Sequence, residues 1–408
     1  MIQTQCCVVG GGPAGLMLGC LLARAGVEIV VVEKHADFFR DFRGDTIHPS
    51  TLELLYELGQ IDEFISKVNP QEYPSLDVVL DGHVVHGPDF TTLPTHCKFI
   101  AIAPQWDFLN FMADFAKRYP TFQLMMSTDA TQLIQENGVV VGVKAQQGEE
   151  TIEIRANLVV SADGRSSKLR EQVGLVADEV GIPVDVLWFH LPKTQEDPQG
   201  HILGRVGGGT MMVTIDRGTY FQCGQVIAKG GFSAVQGEGL PAFCQKIVKI
   251  APFLEEATHS LKDWDQVKLL SVQINRLPQW AVPGYLCIGD AAHAMSPAGG
   301  VGVNFAVQDA VATSNLLAEK LRTGSVTLED LNLVQKRRER PVKIIQRLQA
   351  FAHKKLFNPE QGFQSRGIGM FAFRSMVTLF APIVRRKMAQ MIGLGPLPEH
   401  VETREVSA

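Results

Sequence analysis

Three short stretches hold the residues whose types and spacing can do chemistry. Gly10, Gly12 and Gly15 stand in the order G-x-G-x-x-G, with Ala14 just before the last, directly after the apolar run Cys6-Cys7-Val8-Val9. Glu33 closes a second apolar run, Val27 to Val32. This spacing suits a dinucleotide. The first glycine permits a tight turn, the second lets backbone approach a pyrophosphate, and the third lets a helix pack on the strand. The helix N-terminus then turns its partial positive charge to the phosphates. Glu33 is placed to accept hydrogen bonds from a ribose 2′-OH. The fingerprint serves NAD and FAD alike. No second one occurs, because Gly207-Gly208-Gly209 and Gly393-Leu394-Gly395 lack the final glycine and the strand–helix setting. The other two stretches, Asp163-Gly164-Arg165 and Gly289-Asp290 with Gly299-Gly300-Val301-Gly302, each follow a buried apolar run.

The elements that position these residues follow from hydrophobic period. Continuous apolar strands around a small-residue helix, Leu16 to Ala25, make a parallel βαβ unit covered on both faces. From Tyr73 to Phe99 the chain breaks into short strands. Residues Ile182 to Asp265 read as a separate antiparallel unit with strands at Val184–Leu191, Thr210–Ile215 and Tyr220–Ala228, then a helix around Leu240 to Val248. The α/β character is expected to resume at Val267 to Ile274. After the charged run Gln335 to Arg340 and Pro341, the chain is expected to stay helical to about Gly393.

Composition bounds the class. The chain has 408 residues, 45% hydrophobic and 20% charged, with 38 Lys+Arg against 43 Asp+Glu and a net charge of −5. That excludes a largely disordered protein and argues against a nucleic-acid partner, which needs a concentrated basic face. Cys6, Cys7, Cys20, Cys97, Cys223, Cys244 and Cys287 form no C-x-x-C pair, so buried thiols in a reducing cytoplasm are expected rather than a zinc site or disulfides, and no metal is called for. No signal peptide is read before the first strand, and no apolar run has the length of a membrane span.

Taken together, the N-terminal glycines, Asp163-Gly164-Arg165 and Cys287-Ile288-Gly289-Asp290-Ala291-Ala292-His293 with Pro297 and the later glycines resemble the class A flavoprotein monooxygenases, the para-hydroxybenzoate hydroxylase-like group. The resemblance covers about residues 4 to 345. It implies an α/β (α+β overall) fold, in which a Rossmann-like FAD-binding domain with a parallel sheet is interleaved with a mixed or antiparallel substrate-binding sheet. The FAD-binding domain would comprise 1–72, 100–175 and 267–345, the substrate domain 73–99 and 176–266, and a helical C-terminal segment 346–408. It also implies cofactor roles. Asp290 would hydrogen-bond the ribitol. Backbone from Gly299 through Gly300, Gly302, Val303 and Asn304 would meet the pyrimidine edge of the isoalloxazine. Arg43 and Gln105 would supply polar contacts, and Ala130 a main-chain contact to the adenosine half. Asp163 would serve FAD and a transient NAD(P)H, although a helix N-cap also fits an aspartate there.

The implied reaction belongs mainly to the flavin. NAD(P)H reduces FAD, O₂ adds to give a C4a-hydroperoxide, and one oxygen atom passes to an aromatic or polyketide-like apolar substrate. An FAD-dependent reductase or dehydrogenase of the same fold, or a non-catalytic FAD-binding protein, are the alternatives. His48 either faces flavin or substrate, or caps and packs a helix. Pro297 either lies near the oxygen-reacting face or is a turn proline. Trp188, Met212, Tyr220 and Gln222 lie on inserted strands and are the substrate candidates, with faces unassigned by sequence. Residues 370–387, apolar and then basic, either pack on the FAD-binding domain, the reading that Pro382 and Arg374 within the run favour, or make a weak peripheral membrane contact.

Overall fold

The computed structural model describes residues 1–39, 46–80, 82–194, 196–197, 202–207, 209–358, 362–363 and 381–406. Arg43 and residues 370–380 lie outside the described residues.

The first sheet has eight strands. Its parallel part runs, in spatial order, Tyr285–Cys287, Glu150–Ser161, Ile2–Val9, Ile29–Val32 and Phe122–Met125. Cys6 to Val9, at the centre, are fully or almost fully buried, as a continuous apolar strand between covered faces requires. Helices Pro13–Arg24 and Gly302–Thr323 pack on each other beside it. From the central strand the chain goes first to Ile29–Val32 on one side and later to Glu150–Ser161 on the other. That reversal opens a crevice at the carboxyl ends of the strands, where nucleotides bind in such sheets.

The second sheet is mixed, with the order Lys268–Leu270, Val184–Pro192, Tyr220–Ala228, Thr210–Asp216, Ile202–Gly207, Ser75–Leu80 and His83–Asp89. Among the described residues its one parallel pair is Ile202–Gly207 with Ser75–Leu80. The sheet has a core on each side. Leu187, Phe189, Leu191, Phe221 and Cys223 pack outward with Phe243 and Ile247 of helix Leu240–Ile250. Trp188, Val213 and Ile215 pack inward with Tyr73, Ile100 and Ile102. These last three belong to a small sheet of Thr46–Ile47, Ile100–Ile102 and Gln71–Tyr73 that links the two large ones.

Three boundaries differ from the sequence reading. Lys268–Leu270 is still an edge strand of the second sheet, and the first sheet resumes only at Ala281–Val282; a short apolar run does not reveal which sheet it joins. The helix carrying Pro341 runs unbroken from Leu328 to Leu356, crossing the expected boundary at 345, and a short hairpin of Phe357–Asn358 and Gly362–Phe363 follows it. The last residues return to the first domain, where Arg24 Nη1 donates to the Thr403 carbonyl at 2.7 Å and the Val406 N–H donates to the Arg24 carbonyl at 3.0 Å. All seven cysteines are free thiols, and all but Cys244 are buried. Among the described residues, no helix is long and apolar enough to cross a membrane, and no group of three or more His, Cys, Asp or Glu is placed to hold a metal ion.

Candidate cofactor and substrate site

The glycine turn is built by close approach. Gly10 has φ +103°, and a Cβ there would lie 2.5 Å from the Ala162 carbonyl oxygen. A Cβ on Gly15 would lie 1.9 Å from the Gly10 carbonyl oxygen, so only glycine lets the helix begin this near the strand. Gly12 is different, because a Cβ there would meet no protein atom within 4 Å. It is the N-cap of helix Pro13–Arg24, with no side-chain cap, so the N–H groups of the first turn, Ala14 and Gly15 among them, have no intrahelical partner. That open, donor-rich cradle suits a pyrophosphate. Glu33 orders the same turn: its Oε2 accepts the Gly11 N–H at 2.8 Å and its Oε1 the His35 N–H at 3.1 Å. Ala130 lies in strand Thr128–Glu136 opposite Ala145, and Gln105 is the first residue of helix Gln105–Ala116, both half-buried.

The two later motifs meet in space although 125 residues separate them. Arg165 Nη2 donates to Asp290 Oδ2 at 3.1 Å, and Arg170 Nη1 donates to the Ala291 carbonyl at 2.7 Å. Asp163 accepts from Ser161 Oγ at 2.5 Å, and burial raises its carboxyl above the ordinary value despite that bond. It does not cap a helix, because the short helix Leu169–Gln172 begins after Lys168.

Gly300 prepares the start of helix Gly302–Thr323. Its φ is +62°, and a Cβ would lie 2.1 Å from Thr46 Oγ1, which donates to the Gly300 carbonyl at 3.0 Å. Val303 is half-buried in the first turn, while Asn304 is buried with its side chain engaged. Asn304 Oδ1 accepts the His48 N–H at 2.9 Å and Thr51 Oγ1 at 2.6 Å, so only its backbone is left for a cofactor. Pro297 is exposed at the lip of this loop. Behind it the loop is clamped by Gln349, whose Oε1 accepts the Ser296 N–H at 3.2 Å and whose Nε2 donates to the Ser296 and Ala298 carbonyls at 3.0 and 2.9 Å.

His48 stands where helix Pro49–Glu57 begins, yet its ring is fully enclosed by protein. Its Nδ1 donates to the Ile392 carbonyl at 2.7 Å, and its buried Nε2 has no partner. A ring with no open surface touches neither flavin nor substrate, which removes the catalytic reading of His48 and leaves a packing one. Burial lowers its pKa to about 4 against a lesser upward pull from the Ile392 bond. The folded value is below the ordinary 6.5, so the stability from keeping His48 neutral is fully present above pH 6.5 and lost as pH falls toward 4. From pH 7 to pH 5 this amounts to about 2 kcal/mol. The expected result is an unfolding midpoint in urea that drops across this interval, with a shallower drop in His48→Gln. Equal slopes in the two proteins would contradict it.

Sequence reasoning missed a buried charge network behind Asp290. Asp309 Oδ2 accepts from the Gly289 N–H at 3.0 Å and His293 Nε2 at 2.6 Å, while its Oδ1 accepts from Arg338 Nε at 2.9 Å. Arg338 Nη1 continues to Glu399 Oε1 at 3.2 Å and the Leu397 carbonyl at 3.2 Å, and Arg337 Nε reaches Glu399 Oε1 at 3.1 Å. Burial alone would raise the Asp309 carboxyl, but His293 and Arg338 hold it below its ordinary value. The signal was a lone acid within the otherwise uncharged stretch Val303–Leu317. Arg338 gave no signal, because it stands in a charged run that reads as a solvated face.

On the second sheet, Trp188, Tyr220 and Gln222 share the inner face, and their strand register sets Met211, Val213 and Ile215 beside them. The Trp188 ring lies over Gly224, where a Cβ would come within 3.0 Å of it. Gln222 is buried, and its Oε1 accepts Arg217 Nε and Nη2 at 3.3 and 3.2 Å, so one end of this face is polar. Tyr220 pairs with His190, ring centroids 4.8 Å apart. Met212 is not part of it: one residue out of phase, it packs on the outer side with Phe243. The Gln390–Leu394 turn closes the edge, with Gly393 against Phe90 and Leu93 and the Leu394 carbonyl accepting Gln308 Nε2 at 3.2 Å.

Comparison with known proteins gives a consistent result. The model of the FAD binding domain family matches residues 3–347. The chain is 31% identical over 338 residues to the 6-methylpretetramide 4-monooxygenase of Streptomyces rimosus, covering 82% of this chain and 80% of that one. It is 25% identical over 315 residues to an uncharacterized aromatic compound monooxygenase of Bacillus subtilis (strain 168), covering 76% of this chain and 60% of that protein. Among solved structures, the p-nitrophenol 4-monooxygenase of Pseudomonas putida DLL-E4 superposes with a TM-score of 0.77 at 18% identity, over 97% of this chain and 100% of that one. These relatives lend no support to a reductase without oxygen transfer or to a non-catalytic FAD-binding protein.

Proposed function

Because the chain belongs to the FAD binding domain family and is an FAD-dependent monooxygenase, we propose that it hydroxylates a flat, fused-ring aromatic or polyketide-like molecule held between the second sheet and the Gly299–Gly302 loop. The observation that carries this reading is the inner face of that sheet, only partly covered by the small sheet: Trp188, Val213 and Tyr220 stay half-buried there, and the face is polar where Arg217 meets Gln222. Such a face stacks an aromatic body and orients a phenol or enol oxygen at one end.

The FAD would be held by the Gly10–Gly15 turn at its pyrophosphate, Glu33 at its adenosine ribose, Asp290 at its ribitol, and the backbone of Gly300 to Val303 at its pyrimidine edge. When bound, FAD takes a hydride from NAD(P)H and activates O₂ to deliver one oxygen atom. The remaining work falls to the protein. The N-terminus of helix Gly302–Thr323 favours negative charge at the pyrimidine edge. The Arg165–Asp290 pair and the Asp309 bond to the Gly289 N–H keep the ribitol loop in place. The Gln390–Leu394 turn limits water entry at one edge of the pocket.

The test is anaerobic reduction of the purified flavoprotein by NADPH and by NADH with a panel of fused-ring phenolic polyketides and simple phenols, followed by aerobic turnover. A fused-ring ligand is expected to accelerate flavin reduction sharply and to gain one oxygen atom by mass. Fast reduction without ligand, with no product gaining oxygen, would sink the proposal. Acceleration by simple phenols alone would overturn the substrate class.

A further inference from the structure

Helix Leu328–Leu356 has two unlike faces. The inner one is occupied by Val334, Arg338, Val342, Gln346 and Gln349, all buried against the first domain. The outer one carries three exposed apolar side chains, Leu333 and Leu348 at 46% and Phe351 at 63%. Leu333 and Phe351 are about five turns apart, so they point the same way along about 27 Å of helix. Between and beside them Lys336, Arg340, Arg347 and Lys354 are exposed, and none has an acidic partner among the described residues. The one acid in this span, Glu339, is paired with Lys343 at 2.7 Å.

Basic residues are also unevenly distributed along the sequence. Residues 336–387 contain 13 Lys and Arg against 2 Asp and Glu, a balance of +11. The rest of the chain has 38 − 13 = 25 basic against 43 − 2 = 41 acidic residues, a balance of −16. The near-neutral total thus hides a basic segment within an otherwise acidic sequence.

We infer that the outer face of helix Leu328–Leu356 docks on an anionic lipid surface, lying in the plane of the headgroups. Unpaired cations draw the face to negative headgroups, and long Lys and Arg stems keep their charges at that level while Leu and Phe enter the acyl boundary. An acidic protein would satisfy the four cations. Large apolar side chains interleaved with cations along one straight face match a fluid plane better, and an enzyme for an apolar substrate gains access to what dissolves in lipid. The surface rests on described residues alone and does not depend on the substrate's identity.

The experiment is flotation of the purified, flavin-loaded full-length protein with vesicles of phosphatidylcholine alone and with about 30% phosphatidylglycerol. The protein is expected to float with the anionic vesicles only, and to be released at about 0.5 M salt. Leu348→Ser with Phe351→Ser should lower the bound fraction about tenfold at equal lipid. Arg347→Glu with Lys354→Glu should lower it at least as far. Both variants should keep their flavin and their turnover, because these side chains are exposed and lie outside the site. No flotation with anionic vesicles at low salt overturns the inference, as does flotation unchanged by both variants.

Discussion

Asp309→Ala is expected to lower the free energy of unfolding by about 3–5 kcal/mol and to weaken flavin retention with it. The size follows from what is left behind. Arg338 and Asp309 are both fully buried, and Arg338 Nη2 has no hydrogen-bond partner even in the parent. Removing the carboxylate leaves the guanidinium with the Leu397 carbonyl and, as counter-charge among the described residues, only Glu399, which Arg337 already shares. It also strips the Gly289 N–H and His293 Nε2 of their acceptor, one residue from Asp290 and within the loop that would hold ribitol. Asp309→Asn keeps the shape and an acceptor for Gly289, so its loss should be smaller. Replacing both charges, as Asp309→Leu with Arg338→Met, should recover part of the loss, since no lone charge is then buried. Urea unfolding of the three variants checks the order. An Asp309→Ala protein within about 1 kcal/mol of the parent would show that the network carries little stability.

Gly12→Ala should leave the folded chain almost untouched and still weaken FAD binding about a hundredfold, roughly 3 kcal/mol. A Cβ at Gly12 meets no protein atom, and its φ of −75° suits any residue, so the cost without cofactor is at most about 1 kcal/mol of N-cap preference. The methyl would instead stand in the cradle where the pyrophosphate approaches backbone. Gly15→Ala makes the contrast: its Cβ would lie 1.9 Å from the Gly10 carbonyl oxygen, so it should weaken the chain itself as well as the cofactor site. FAD titration and apoprotein unfolding, done on both variants, separate the two effects. Unchanged FAD affinity in Gly12→Ala would move the pyrophosphate away from this turn.

Much of the nucleotide-binding half was legible because its signals are local. A glycine that needs φ above zero, a strand buried on both faces and an acid at a strand end each leave a mark within a few residues. Asp163-Gly164-Arg165 and Gly289-Asp290 were legible as motifs, whereas the Arg165–Asp290 bond that joins them was not. The substrate face was half legible. Alternation along Val184–Pro192 and Thr210–Asp216 divides each strand into two sets, and both sets are apolar because the sheet is covered on both sides. Met212 and Met211 are therefore indistinguishable by pattern, although they end on opposite faces.

The sequence by itself determined the dinucleotide turn, the parallel βαβ unit, the inserted sheet and the order of the motifs, because each rests on local patterns of neighbouring residues. Only the tertiary structure decided that His48 is enclosed rather than facing a ligand. It alone joined Asp309, Arg338 and Glu399 across ninety residues, and brought the Gln390–Leu394 turn back over the first domain. It also showed that the basic run around Arg340 divides between a buried Arg338 and an exposed face. Burial and charge pairing depend on which distant element covers a side chain, and helical or strand period records only which residues share a face, not what that face meets.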